Sequence, residues 1–159
     1  MTKTSKIIYF IISVIFFALF DTVCSDFVIK NINNLPQNKI LDLIFIKNSG
    51  AAFSILENYK LLLIVFAIIA ILGIFFYIIK HAKQVSTMTT FWFAMLAAGI
   101  FCNMYERIVF GYVRDFFKLN FVNFPVFNIS DVFINVSVFV IVIMIINNEI
   151  NNRRTNRWK

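Results

Sequence analysis

Charge is scarce in this chain: only 14% of its 159 residues are Asp, Glu, Lys or Arg. An ordinary soluble domain carries about a quarter charged residues, so a conventional water-facing surface is excluded. Histidine occurs once, as His81 in a short basic stretch, and cysteine twice, as Cys24 and Cys102, in or beside apolar runs without CxxC spacing. Neither metal binding nor Cys/His nucleophilic chemistry has the residues it needs, and no cofactor is implied. What is abundant is apolar. Hydrophobic residues make up 60% of the chain, 21 of them Phe, which places it in a membrane. The net charge of +7 does not point to nucleic acid, because the basic residues mostly flank the apolar runs, where membrane topology puts them.

Four apolar runs, at about 7–25, 61–79, 88–104 and 131–147, are each long enough to span a bilayer with at most slight thinning. They predict an all-α membrane protein, a single integral domain of four transmembrane helices with long connectors at 26–60 and 105–130. The first run follows Lys3 and Lys6 and resembles a secretory signal peptide. Phe20-Asp21-Thr22-Val23-Cys24 lacks the small residues of a cleavage site or a lipobox, so it is read as a retained helix. The second run lies between Lys60 and Lys80. The third offers Ala97, Ala98 and Gly99 as a small-residue face for close helix contact. Beyond it, Asn103, Glu106 and Arg107 share one face if the helix continues that far.

Lys and Arg are denser in the two termini and the 80–87 connector than in the long connectors. The positive-inside rule therefore puts both termini in the cytoplasm and both long connectors on the far side. Within the first connector, residues 41–47 are β-prone, with Ile, Phe and Leu between charges, and predict a small extracytoplasmic cradle. Asn48-Ser49-Gly50-Ala51-Ala52-Phe53-Ser54 follows. Small residues around Gly50 admit a closely approaching backbone, as either a hairpin turn or a substrate cradle would require.

Two carboxylates stand at the edges of apolar runs: Asp115, in Gly111-Tyr112-Val113-Arg114-Asp115-Phe116 after the third, and Asp131, in Phe127-Asn128-Ile129-Ser130-Asp131 opening the fourth. At membrane depth a carboxylate is costly unless wet, paired or protonated, which makes the pair a functional-site candidate. A purely structural alternative stands beside it, in which Asp131 caps the last helix and Asp115 is an interfacial turn residue paired with Arg114 or Lys118.

Taken in order between four spans, residues 48–54, Asn103-Met104-Tyr105-Glu106-Arg107, residues 111–116 and residues 127–131 resemble lipoprotein signal peptidase, the signal peptidase II family. The resemblance covers nearly the whole chain. It implies an intramembrane aspartic endopeptidase with Asp115 and Asp131 as the catalytic pair. Asn48, Gly50 and Arg107 would hold substrate, with Asn103 and Asn128 orienting the site. The implied partners are membrane lipid and bacterial prolipoproteins whose lipobox cysteine carries diacylglycerol, cut just before that cysteine. The expected location is the bacterial cytoplasmic (inner) membrane, with the active site at the extracytoplasmic face and the chain acting as a monomer.

The sequence departs from the family pattern in places. Cys102 stands where Gly is usual, Glu106 where Asp is usual, and Ser130 where Ala precedes the last aspartate. Glu106 is expected still to pair with Arg107. The family's early Asp-x-x-x-Lys motif has two registers here: Asp26 to Lys30 keeps the spacing, while Asp21 fits the distance from the start but meets Ser25. Two rivals stay open, an inactive relative that binds lipoprotein precursors without cutting and a small transporter or channel subunit with an acidic ion path.

Overall fold

The computed structural model describes residues 1–35, 38–50, 57 and 59–156, with residues 154–156 described by backbone only. Residues 51–54 of the Gly50 motif, and the basic positions 157 and 159, lie outside the described residues. The order of elements is α1 (Lys3–Asn31), β1 (Leu41–Asn48), α2 (Lys60–His81), α3 (Thr87–Val109), β2 (Val113–Leu119) and α4 (Ile129–Asn156). All four helices are long and apolar enough to cross a membrane. Side-chain caps start three of them: Thr2 Oγ1 accepts from Ser5 N at 3.1 Å, Ser86 Oγ accepts from Thr89 N at 3.0 Å, and Asn128 Oδ1 accepts from Asp131 N at 2.8 Å.

Each helix overruns the apolar run that announced it, because intrahelical hydrogen bonding does not stop where hydrocarbon ends. α1 continues through Asp26 and Lys30, and α3 continues through Asn103, Glu106 and Arg107. α3 is the hub, packed against α1, α2 and α4. Thr90, Ala94, Ala97, Ala98, Gly99 and Cys102 are buried along it, and their small side chains let neighbouring backbones come close. The closest approach is to α4, where a Cβ added at Gly99 would lie 2.7 Å from the Ser130 carbonyl oxygen. α2 is the opposite case, with Ile78 as its one fully buried residue, Ile74 packed beside it, and much of its apolar surface exposed. Between α1, α3 and α4, the Phe17 ring meets Phe91 and Phe133 edge-on, each at 5.3 Å. Lys6 Nζ, buried, donates to the Val85 carbonyl and ties α1 to the α2–α3 turn.

At the opposite end of the bundle, β1 and β2 pair antiparallel. β1 matches the β-prone stretch. β2 arises inside the connector 105–130, where no strand was expected; its burial does not alternate cleanly, since Val113, Asp115 and Phe116 are all buried, so a period of two is hidden. The register runs from Leu43 opposite Phe117 to Ile46 opposite Asp115, a bulge with one extra residue on β1. Such bulges re-aim side chains, here beside Asp115. Gly111, at φ +86°, makes the turn out of α3, a left-handed conformation any side chain would strain. After β2 the chain folds back, Phe117 and Phe127 exchanging backbone hydrogen bonds at 2.8 and 3.1 Å, which lays Asn128 against the strand.

Candidate active site

The two carboxylates reach one place by different routes. Asp131 sits in the first turn of α4, as the apolar pattern predicts. Asp115 does not end the third helix; it lies within β2 and is 2% exposed. Helix α3 ends at Val109, and Gly111 diverts the chain into the strand before the carboxylate is reached.

Three asparagines join them. Asp115 accepts from Asn48 Nδ2 on Oδ2 at 2.8 Å and from Asn128 Nδ2 on Oδ1 at 2.9 Å. Asp131 accepts from Asn103 Nδ2 on Oδ1 at 2.9 Å and from the Asn128 backbone N–H on Oδ2 at 3.2 Å. Asn128 Nδ2 also donates to Asn103 Oδ1 at 3.1 Å. Every amide next to a carboxylate oxygen is therefore a donor, and each of the four oxygens has one. Asn128 is the pivot and is 3% exposed. It is also the cap of α4: its Oδ1 accepts from Asp131 N at 2.8 Å while Asp131 accepts from its own N–H, the reciprocal arrangement of a capping box. The capping alternative thus holds in a modified form, with Asn128 as cap and Asp131 three residues on.

Burial pushes the Asp115 carboxyl up to about 7 from the usual 3.8, and the charge of Asp131 adds to the rise. Hydrogen bonds from Asn48 and Asn128 and the charge of Arg107 oppose it without cancelling it. The rise favours a proton on this carboxyl well above the pH at which an exposed aspartate loses it.

Asn48 and Arg107, read as substrate holders, also have partners inside the protein. Asn48 Oδ1 accepts from Gly50 N at 3.0 Å, a local turn that aims its Nδ2 at Asp115. Arg107 donates from Nη1 to Asn103 O at 2.9 Å and from Nη2 to Gly50 O at 2.6 Å, fastening the Gly50 turn to α3. Its Nε is buried and makes no hydrogen bond among the described residues. A cavity of about 130 Å³ opens beside these groups, lined by Asn48, Asn103, Arg107, Asp131, Asn135 and residues 124–127. Asn135 was not singled out from the sequence, although it lies one turn after Asp131 and donates to the Asp131 carbonyl at 2.8 Å; a polar residue at i+4 from a candidate carboxylate in an apolar run was the available signal.

Two expectations about charge pairing change. Glu106 does not pair with Arg107; its carboxylate takes Arg114, with Nη2 at 2.7 Å, because on α3 it is turned toward β2 while Asn103 and Arg107 face the cavity. That pairing also removes Arg114 as a partner for Asp115. Of the two early aspartates, Asp21 is buried and accepts from Ser130 Oγ at 3.0 Å, directly behind the first turn of α4, whereas Asp26 pairs with Arg114. Ser130, in place of the usual Ala, is what gives Asp21 that hydrogen bond.

The architecture and the sequence have counterparts among known proteins. A solved bacterial membrane enzyme superposes with a TM-score of 0.79 at 26% identity, over 89% of this chain and 90% of that one. A lipoprotein signal peptidase of Streptococcus pneumoniae is 34% identical over 115 residues, 70% of this chain and 72% of that protein. One from Streptococcus agalactiae is 30% identical over 155 residues, 92% of this chain and 96% of its own length. The family model for signal peptidase (SPase) II matches residues 12–147, which takes in α2, α3, both strands, most of α1 and α4, and every residue of the asparagine–aspartate network. The chain belongs to the signal peptidase II family.

Proposed function

We propose that this membrane peptidase removes lipoprotein signal peptides by an aspartic mechanism in which Asp115 and Asp131 share one proton. The observation that carries the reading is the donor pattern: two carboxylates joined by shared asparagines, Asp131 lining the cavity and Asp115 the adjoining cleft, with an N–H on each of their four oxygens. Donors stabilise the ionised form, yet two adjacent carboxylates cannot both ionise cheaply, so the pair retains a proton. Among the described residues no amide oxygen is aimed at either carboxyl, and the reading takes the other carboxylate or water as the acceptor of that proton.

With the proton on Asp115, Asp131 takes a proton from a water molecule as the water oxygen bonds to the scissile carbonyl carbon. Asp115 gives its proton to the carbonyl oxygen. The tetrahedral diol collapses as the C–N bond breaks: the proton held by Asp131 passes to the leaving nitrogen while one diol hydroxyl returns its proton to Asp115, leaving a carboxylic acid, an amine and the dyad with its one proton restored. Asn48, Asn103 and Asn128 hold both carboxylates at fixed angles, and Arg107, whose Nε has no partner among the described residues, supplies positive charge beside the cavity.

The substrate in this reading is a prolipoprotein whose cysteine carries diacylglycerol. A lipid-anchored cysteine keeps the scissile bond at the membrane interface, the level at which polar network and apolar helices meet. The basic-residue asymmetry puts this end of the bundle outside the cytoplasm and both termini inside. The purified protein in micelles should release the signal peptide from a diacylglyceryl prolipoprotein and leave the unlipidated precursor much less cut. Absence of cleavage in fully folded protein would favour a precursor-binding role instead.

A further inference from the structure

Adjacent residues of β2 carry opposite charges and face opposite ways, as strand neighbours do. Asp115 turns to the asparagines, and Arg114 turns to α1 and α3. The Arg114 guanidinium meets Glu106 Oε1 with both Nε and Nη2 at 2.7 Å and reaches Asp26 Oδ1 with Nη1 at 2.8 Å. The second oxygen of Glu106 accepts the backbone N–H of Arg114 at 2.7 Å. Phe110 closes one side, its ring centroid 4.6 Å from the guanidinium carbon. The Arg114 and Glu106 side chains are 13% and 9% exposed, so this contact escapes the screening that weakens surface ion pairs.

We propose that Arg114 is a positioning residue for Asp115, fixing the strand backbone one residue before the carboxylate by clamping it to α3 through Glu106 and to α1 through Asp26. The proposal rests on the reading of Asp115 and Asp131 as the reacting pair. A two-stranded sheet is marginal by itself, so β2 needs a second anchor if Asp115 is to hold its place against α4. Glu106 supplies that anchor twice, gripping the backbone N–H and the side chain of the same residue. Its extra methylene over Asp is what lets one carboxylate on α3 reach both. Because Arg114 points away from the cleft, the clamp restrains Asp115 without occupying substrate space.

The test compares Arg114→Met, Arg114→Lys and the double variant Arg114→Met/Glu106→Gln, which does not strand the Glu106 carboxylate without its cation. Sites are counted with a tight-binding peptide bearing a hydroxyl isostere at the scissile bond, and kcat and KM are expressed per titrated site. In both Met variants kcat should fall about 10- to 100-fold, the scale of a displacement of roughly 1 Å. KM should stay within about threefold, since the lost interaction is one that places the reacting group. Arg114→Lys should recover part of the loss and no more, because an ammonium cannot reproduce the fork. The alkaline limb of the pH profile should also move, because Asp115 would sit differently among Asp131 on α4, Arg107 on α3, Asn48 on β1 and Asn128, with Lys47 and Glu57 lining the adjoining cleft. Wild-type kcat per site with an unchanged profile in the Met variants would overturn the proposal, however little folded protein is recovered; should those variants give no titratable sites, wild-type kcat in Arg114→Lys would do so. Asp115→Asn in the same assay separates the two levels. If it cuts normally the aspartic reading fails, and if it is inactive while Arg114→Met is unimpaired only the positioning role fails.

Discussion

Gly99 offers the sharpest test of how closely the site depends on helix packing. An alanine there would put its Cβ 2.7 Å from the Ser130 carbonyl oxygen, 2.9 Å from Ile134 Cγ1 and 3.2 Å from Phe133 Cβ. The first of these is backbone in the opening turn of α4, which cannot rotate aside as a side chain would. Ordinary contact begins near 3.4 Å, so α3 and α4 must part by roughly 0.7 Å. The Asn103–Asp131 hydrogen bond crosses the same interface at 2.9 Å, and that displacement along it would carry it past hydrogen-bonding range. Overpacking of this kind costs about 1–3 kcal/mol of stability. The loss of alignment at Asp131 should lower kcat about 10- to 100-fold. The measurement is thermal unfolding in micelles together with cleavage of a diacylglyceryl prolipoprotein. Gly73→Ala is the control: nothing lies within 4 Å of its added Cβ, and it should leave cleavage unchanged. Equal behaviour of the two alanine variants would refute the reasoning.

Cleavage should fall as pH rises through about 7, where the proton raised onto Asp115 by burial is lost, and a rate still climbing well above that value would contradict a protonated Asp115. The same shift makes this group's contribution to stability fully present below its unfolded value of 3.8 and gone once pH has risen through about 7, so the melting temperature should decline between those two values and level off above them. Asn128→Ala removes the cap of α4 and the donor on Asp115 Oδ1 together; it should cost about 0.5–2 kcal/mol through the cap alone and reduce cleavage far more than stability, in the same paired assays. Cys24 and Cys102 are both free, so the double Cys24→Ser/Cys102→Ala variant should keep cleaving, and abolished activity would reveal a role for a thiol.

The polar network shows where sequence reasoning succeeds and where it stops. Asp131, Asn103 and Arg107 were legible because long apolar runs fix helical phase, and phase fixes which residues share a face. Asp115 was singled out by its place beside an apolar run, but that it would meet Asn48 and Asn128 came only with the family resemblance, since their meeting depends on a strand pairing across 67 positions of the chain, from Asn48 to Asp115. β2 stayed hidden for a related reason: Phe116 and Asp115 are buried on opposite faces, one by apolar packing and the other by amides, so hydrophobicity does not alternate along it. Partner choice was the least legible. Glu106 and Arg107 are sequence neighbours with opposite charge, yet Glu106 takes Arg114, because neighbours on a helix point about 100° apart and β2 passes on the glutamate's side. The departures from the family pattern make sense in that light, with Glu106 long enough to grip β2 and Ser130 giving Asp21 a partner.

The central claim is that Asp115 and Asp131 act as one unit, and the most direct measurement is single-turnover cleavage of a diacylglyceryl prolipoprotein by Asp115→Asn, Asp131→Asn and the double variant. Either substitution forces one amide NH₂ against an existing donor, costing about 1–3 kcal/mol, which is too little to prevent folding. Each single variant should lose about 10⁴-fold or more in rate, and the double variant should be no slower than either, because groups that share one proton and one water fail together. An Asn at 131 can still accept the Asn128 N–H through its amide oxygen, so a carboxylate there with only that structural role predicts cleavage per folded molecule close to the unsubstituted protein's. Substantial cleavage by Asp131→Asn would contradict the account.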